Sequence, residues 1–150
     1  MRAVVQRVKK ANVTVAGAVV GSIEAGLLVL LGVEPADTAE DIEWLAQKLV
    51  KLRLFADPSG AWNFSVVEAQ LDVLVVTQFT LFASTRKGTK PSWHRAAKPD
   101  FAERMCADFV AVLNELLPRP GQTGTFGAMM DVSLVNDGPV TLILDSKVRE

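Results

Sequence analysis

The residue types that usually carry hydrolytic chemistry are scarce in this 150-residue chain. One histidine, His94, cannot assemble a zinc centre, and no G-x-S-x-G turn presents a nucleophilic serine. His94 falls in a polar, basic loop beside Trp93, where a solvated surface histidine is the simpler reading. Cys106 lies beside the apolar stripe of a predicted helix and reads as a small buried hydrophobe rather than a nucleophile. Most carboxylates fall on the outer face of another predicted helix and form no convincing acid–base pair. What remains is two short polar segments. Thr77-Gln78-Phe79-Thr80-Leu81 ends the most apolar strand pattern, where buried polar groups need partners or a task. Strand alternation predicts Gln78 and Thr80 on one face. Taken alone, the segment is a strand leaving the core. Asn136-Asp137-Gly138-Pro139-Val140-Thr141, taken alone, is a tight turn between two strands.

The elements around these segments follow from periodicity and punctuation. Arg2 to Val15 alternates around Val4, Val8, Val13 and Val15, and Ala16-Gly17 then offers a turn into a strand from Val19 to Ile23. Leu27 to Gly32 is apolar throughout, as in a central strand covered on both faces. Thr38 stands at an N-cap, with Ile42, Leu45, Leu49 and Leu52 following at helical spacing. Asp57-Pro58-Ser59-Gly60 marks a turn, and Leu71 to Phe82 reads as one long strand ahead of the loop Ser84 to Lys98. A second helix begins near Pro99, with the stripe Phe101, Met105, Phe109, Val112, Leu113 and Leu116, and ends before Pro118 and Pro120. Strands over Met130 to Val135 and Val140 to Leu144 close the chain. Without repeat or linker, this order predicts one domain over residues 1–150: a mixed α/β fold with a sheet layered against two helices.

Composition narrows the setting. Hydrophobic residues make up 49% of the chain, yet the long apolar runs, Leu27 to Val33 and Leu71 to Val76, fall far short of the roughly 20 residues a membrane span needs. The apolar surplus fits either a dense core or a face buried against a second copy. A single cysteine precludes an internal disulfide and suits a reducing cytoplasm, and no secretory leader is read ahead of Leu27. Sixteen basic against 17 acidic side chains give a net charge of −1, so bulk charge does not announce a nucleic-acid binder. The distribution is uneven. Arg86, Lys87, Lys90, Arg95 and Lys98 share an acid-free stretch, whereas Glu34, Asp37, Glu40, Asp41 and Glu43 crowd together. Two solvated surface segments would account for this as well as a polyanion-binding face would.

In order along the chain, several segments together resemble the D-aminoacyl-tRNA deacylase family over essentially the whole length. They are Met1-Arg2-Ala3-Val4-Val5-Gln6-Arg7-Val8, Gly26-Leu27-Leu28-Val29-Leu30-Leu31-Gly32-Val33, Leu52-Arg53-Leu54-Phe55, the T-Q-F-T-L segment, Thr85-Arg86-Lys87-Gly88, Phe126-Gly127-Ala128, and Val132 to Thr141. The chain departs from the family in three places. Thr77 stands where the first motif has serine, Met129 where an acid often follows F-G-A, and Trp93-His94-Arg95 where smaller residues are common.

The resemblance implies a three-layer β/β/α arrangement with mixed, barrel-like sheets and two main helices, and a cytoplasmic homodimer without cofactor or metal. It implies hydrolysis of the ester of D-aminoacyl-tRNA at the tRNA 3′ end, with Thr77, Gln78, Phe79 and Thr80 as the catalytic segment. Backbone N–H groups near Phe79 and Thr80 would hold the oxyanion, and the terminal ribose hydroxyl of the tRNA would help activate water. Another reading within the family makes Thr80 the nucleophile, although no base is identifiable beside it. Gly138-Pro139, as a cis peptide, would reach into the other subunit's site and reject L side chains by steric and polar clash, with Arg7 bracing it and Phe126 on the substrate side. Glycine would escape that clash. Arg86, Lys87 and Lys90 would meet acceptor-stem phosphates. Two rivals stay open: a binding module that uses only the basic segments, and a hydrolase of small esters or L-aminoacyl-tRNA.

Overall fold

The computed structural model describes residues 1–149. The opening alternation forms β1 (Arg2–Val15), which turns through Ala16 and Gly17, both at positive φ, into β2 (Ala18–Ile23). β3 (Gly26–Gly32) follows, then α1 (Ala39–Lys51) and the small hairpin β4 (Phe55–Ala56) and β5 (Trp62–Phe64). β6 (Asp72–Thr77) leads to α2 (Pro99–Leu116), the short β7 (Gln122–Thr123) and the long β8 (Asp131–Asp145).

The main sheet runs β2-β1-β3-β6-β7, with β8 paired to β1 outside this path. β3 is central as its sequence predicts: it pairs antiparallel with β1 and parallel with β6. Only glycine fits at its first position, because a Cβ on Gly26 would stand 2.0 Å from the Asp72 carbonyl oxygen. The sheet curls until β2 meets β7, where a Cβ on Gly21 would stand 2.5 Å from the Thr123 carbonyl oxygen. The result is a nearly closed, mixed, barrel-like sheet covered by two helices.

Strand alternation feeds two cores. Val5, Leu27, Val29, Leu31, Val73 and Val75 pack outwards against α1 and α2, where Leu45, Leu49, Phe109 and Leu113 meet them. Val8, Val13, Leu28, Leu74 and Val76 point the other way and fill the curled sheet. Burying each of these aliphatic side chains contributes about 1.5–3 kcal/mol before entropy is counted. β3 is apolar throughout because both cores need it.

Two expectations from the sequence are corrected. The strand over Leu71 to Phe82 stops at Thr77, because Gln78 leaves the extended region (φ −143°, ψ 81°) and Phe79–Phe82 wind into a 3-10 turn. The last two strands are not a hairpin. Both halves of β8 pair antiparallel with the same strand β1, Gln6 opposite Thr141 and Val8 opposite Asn136, so residues 137 to 140 bulge out opposite Arg7 alone. Gly138-Pro139 sits on that bulge, and its peptide bond is cis.

The acidic cluster is part of the scaffold. The Asp41 carboxylate accepts hydrogen bonds from the Thr38 backbone N–H (2.8 Å), the Thr38 hydroxyl (3.0 Å) and Lys147 Nζ (2.6 Å). Asp37, also buried, takes the Met1 ammonium. Burial alone would raise the Asp41 pKa, but hydrogen bonds from Lys147, Ser146 and Thr38 outweigh it and hold the carboxyl well below the usual range. A carboxylate depressed in the folded state contributes stability above its unfolded pKa, near 4, and loses it as pH falls further. Lys147 is partly exposed. Lys147→Met is therefore expected to lower the unfolding free energy by about 0.5–1 kcal/mol at pH 7. The difference should shrink below pH 4, as read by urea unfolding at both pH values.

Candidate functional site at the end of β6

Val73 to Val76 are buried, and the chain emerges at Thr77. The Gln78 N–H still donates to the Leu31 carbonyl (2.7 Å), which fixes where the 3-10 turn begins. Within and after the turn, the Leu81 N–H donates to Gln78 O (3.2 Å) and the Ala83 N–H to Thr80 O (3.0 Å). The N–H groups of Phe79 and Thr80, the first in the turn, find no acceptor among the described residues. Gln78 and Thr80 do meet, although not as strand neighbours: Gln78 Nε2 donates to Thr80 Oγ1.

Beside this turn lies a cavity of about 560 Å³. Thr77, Gln78 and Phe79 form one wall and Phe126 to Met129 another, with Trp93, Ala97 and α2 residues Ala102 and Cys106 completing it. Among the described residues, Cys106 is its one titratable lining residue, and burial pushes that thiol up to about 12. No lining side chain can serve as a general base near neutral pH. Within one chain, hydrolytic chemistry here has backbone donors, threonine hydroxyls and groups brought by the substrate to draw on.

Trp93 belongs to this wall, which the sequence reading missed. The loop is pinned on one side by paired hydrogen bonds between Ser84 and Ser92 (2.9 Å each) and on the other by the Ala97 N–H on the Val33 carbonyl (2.9 Å). Between those pins Trp93 meets Phe79 edge to face, ring centroids 5.4 Å apart. The available signal was an isolated large aromatic in an otherwise polar loop. His94 is exposed, its Nδ1 3.0 Å from Ser92 Oγ. Arg86, Lys87 and Lys90 are exposed in the same loop, outside the cavity wall.

The bulge on β8 is a second centre. Asn136 Oδ1 accepts the Val140 N–H (2.8 Å), while its Nδ2 donates to Val140 O (3.2 Å) and Thr141 Oγ1 (3.1 Å). Arg7 is buried beneath, donating from Nε to Asp137 O (3.0 Å) and from Nη1 to Leu54 O. Gly138 and Pro139 are exposed. Within one chain, neither they nor Arg7 line the cavity at Phe79, whereas Thr77, Gln78, Phe79 and Phe126 do. Exposed apolar side chains flank the bulge on the same strand, Leu134 and Val135 before it and Ile143 after it.

Against known proteins, residues 4–145 match the family model described as D-Tyr-tRNA(Tyr) deacylase. Two relatives described as D-aminoacyl-tRNA deacylase, from Opitutus terrae and Flavobacterium johnsoniae, are 58% and 53% identical over the full length of both chains. A solved structure described as c-Myc DNA Unwinding Element Binding Protein superposes with a TM-score of 0.92 at 41% identity, covering 97% of this chain and 98% of that one. Another, a probable eukaryotic D-amino acid tRNA deacylase, has a TM-score of 0.81 at 17% identity over 95% and 97% of the two chains, a likeness of fold.

Proposed function

Since the chain belongs to the D-Tyr-tRNA(Tyr) deacylase family, we propose that it removes D-amino acids from tRNA at the cavity beside Phe79, discriminating chirality with the Gly138-Pro139 bulge. The protein is a hydrolase acting on the aminoacyl-tRNA ester. The observation that carries the site is the pair of unclaimed N–H groups at Phe79 and Thr80, on the rim of a cavity whose lining offers no base.

Water attacking the ester carbonyl makes a tetrahedral oxyanion, and two N–H donors fixed at the start of a turn stabilise it without reorganising. The proton leaving the water needs an acceptor, and the terminal ribose hydroxyl next to the ester is the group that the substrate itself supplies. The apolar, aromatic walls around Phe79, Trp93 and Phe126 suit the terminal nucleoside. Arg86, Lys87 and Lys90 lie on the same loop as Trp93, placed to follow the phosphates of the acceptor stem.

The chirality filter needs a second subunit. Leu134 and Ile143 leave apolar side chains exposed on either side of the bulge, and a second copy would cover them. In that homodimer the backbone at Gly138-Pro139 enters the partner's cavity, receives the substrate amino group on its carbonyl oxygens and excludes an L side chain. Glycine carries nothing to exclude, so glycyl-tRNA is cleaved as well.

Release of D-tyrosine, L-tyrosine and glycine from matched charged tRNAs tests this reading. The expected order is D-tyrosine first, glycine measurable, and L-tyrosine slower than D by at least about 100-fold, as a filter worth some 3 kcal/mol requires. Equal release of both tyrosine enantiomers would transfer the assignment to a hydrolase without chiral preference. Salt-sensitive tRNA binding with no release of any amino acid would favour the binding module.

A further inference from the structure

We propose that Trp62 is a positioning residue for chiral discrimination: its ring caps the Arg7 guanidinium and keeps it against the Asp137-Gly138 backbone. This rests on the reading of the bulge given above. Trp62 is 52% exposed, a large aromatic left in water on the tip hairpin β4–β5. Its ring centroid stands 4.4 Å from Arg7 Cζ, a cation–π stack on a guanidinium that is otherwise buried.

The same hairpin region supplies a second hold on Arg7. Leu54, just before β4, gives the carbonyl that accepts Arg7 Nη1. The hairpin is itself tied: the Asp57 carboxylate accepts the Ser59 N–H (2.8 Å), the Ala61 N–H (3.2 Å) and Asn63 Nδ2 (2.7 Å), and Arg53 Nη1 donates to Asn63 O. On its other side Arg7 reaches the bulge, with Nε on Asp137 O (3.0 Å). Nη2 lies 3.2 Å from where a Cβ on Gly138 would be, so the guanidinium is in contact with that residue. Trp62, Arg7 and the 137–138 backbone thus form one stack. Remove the indole, and water reaches the guanidinium face and competes for its hydrogen bonds. The bulge then loses its backing, and the site its sharpness rather than its chemistry.

The experiment compares wild type, W62F and W62A by D:L release ratio and by the Arg7 Nε–H signal in ¹H–¹⁵N spectra, with thermal unfolding to confirm the fold. In wild type that signal is expected to be shifted by the indole ring current and to exchange slowly. In W62A it is expected to move towards the position of free arginine and exchange faster, with the D:L ratio falling about three- to tenfold. W62F, which keeps an aromatic face, should restore most of both. An unmoved Arg7 signal in W62A, an unchanged D:L ratio, or a W62F as impaired as W62A overturns the proposal. If wild type releases no amino acid, the deacylase reading fails by itself, and the Arg7 signal still decides whether Trp62 positions Arg7.

Discussion

Gly138→Ala is expected to lower kcat/KM for D-tyrosyl-tRNA by about 100-fold while leaving the protein folded. Gly138 has φ +137°, in a region that L side chains rarely adopt. Holding a non-glycine residue there costs on the order of 1–3 kcal/mol. The new methyl would also stand 2.8 Å from Val140 Cγ2, 3.1 Å from Val140 N and 3.2 Å from Arg7 Nη2. Val140 is buried and its N–H is claimed by Asn136, so the bulge itself has to move. A displacement of about 1 Å in a positioning element suffices for a loss near 100-fold. Because the bulge is exposed within the chain, circular dichroism should register little change. Single-turnover release of D- and L-tyrosine, beside sedimentation of the variant, separates a moved filter from a lost dimer. A variant with the wild-type rate and D:L ratio would remove Gly138 from the site.

Why these particular features escaped or yielded to sequence reading has physical causes. β3 and α1 were legible because local and tertiary demands agree: Leu27 to Gly32 is needed by both cores, and Thr38 with Asp41 closes the first turn of a helix whose apolar face is regular. The strand pattern through Phe82 misled, because apolar Phe79, Leu81 and Phe82 mimic alternation while Gln78 turns the backbone into a 3-10 turn. Asn136 to Thr141 carries every mark of a hairpin turn. Only the pairing of both flanks with one long strand, a contact between the two ends of the chain, makes it a bulge. Composition is blind to such a contact. Trp93 and Trp62 were missed for a related reason, as each gains its meaning from a partner distant in sequence, Phe79 and Arg7. The resemblance named the motifs and Arg7 as the brace of Gly138-Pro139, but had nothing to say about what holds Arg7 in turn.

Replacing the amide at residue 79 by an ester, by incorporating the α-hydroxy analogue of phenylalanine there, is expected to lower kcat for D-tyrosyl-tRNA by about 100- to 1,000-fold, the range for losing one oxyanion donor. The side chain is kept, so Phe79 still meets Trp93 and the cavity wall is unaltered. KM should move little, because the lost hydrogen bond is made to charge that exists only in the transition state. The fold should tolerate the change, since this N–H holds no partner among the described residues, whereas an ester at Gln78 would break its bond to Leu31. Thr80→Val, made beside it, separates the two accounts of catalysis. It leaves the Thr80 N–H in place and removes the hydroxyl that accepts from Gln78. With the backbone as oxyanion hole, the valine variant keeps most of its rate. With Thr80 as nucleophile, it loses essentially all of it, and the ester at residue 79 becomes the milder of the two changes.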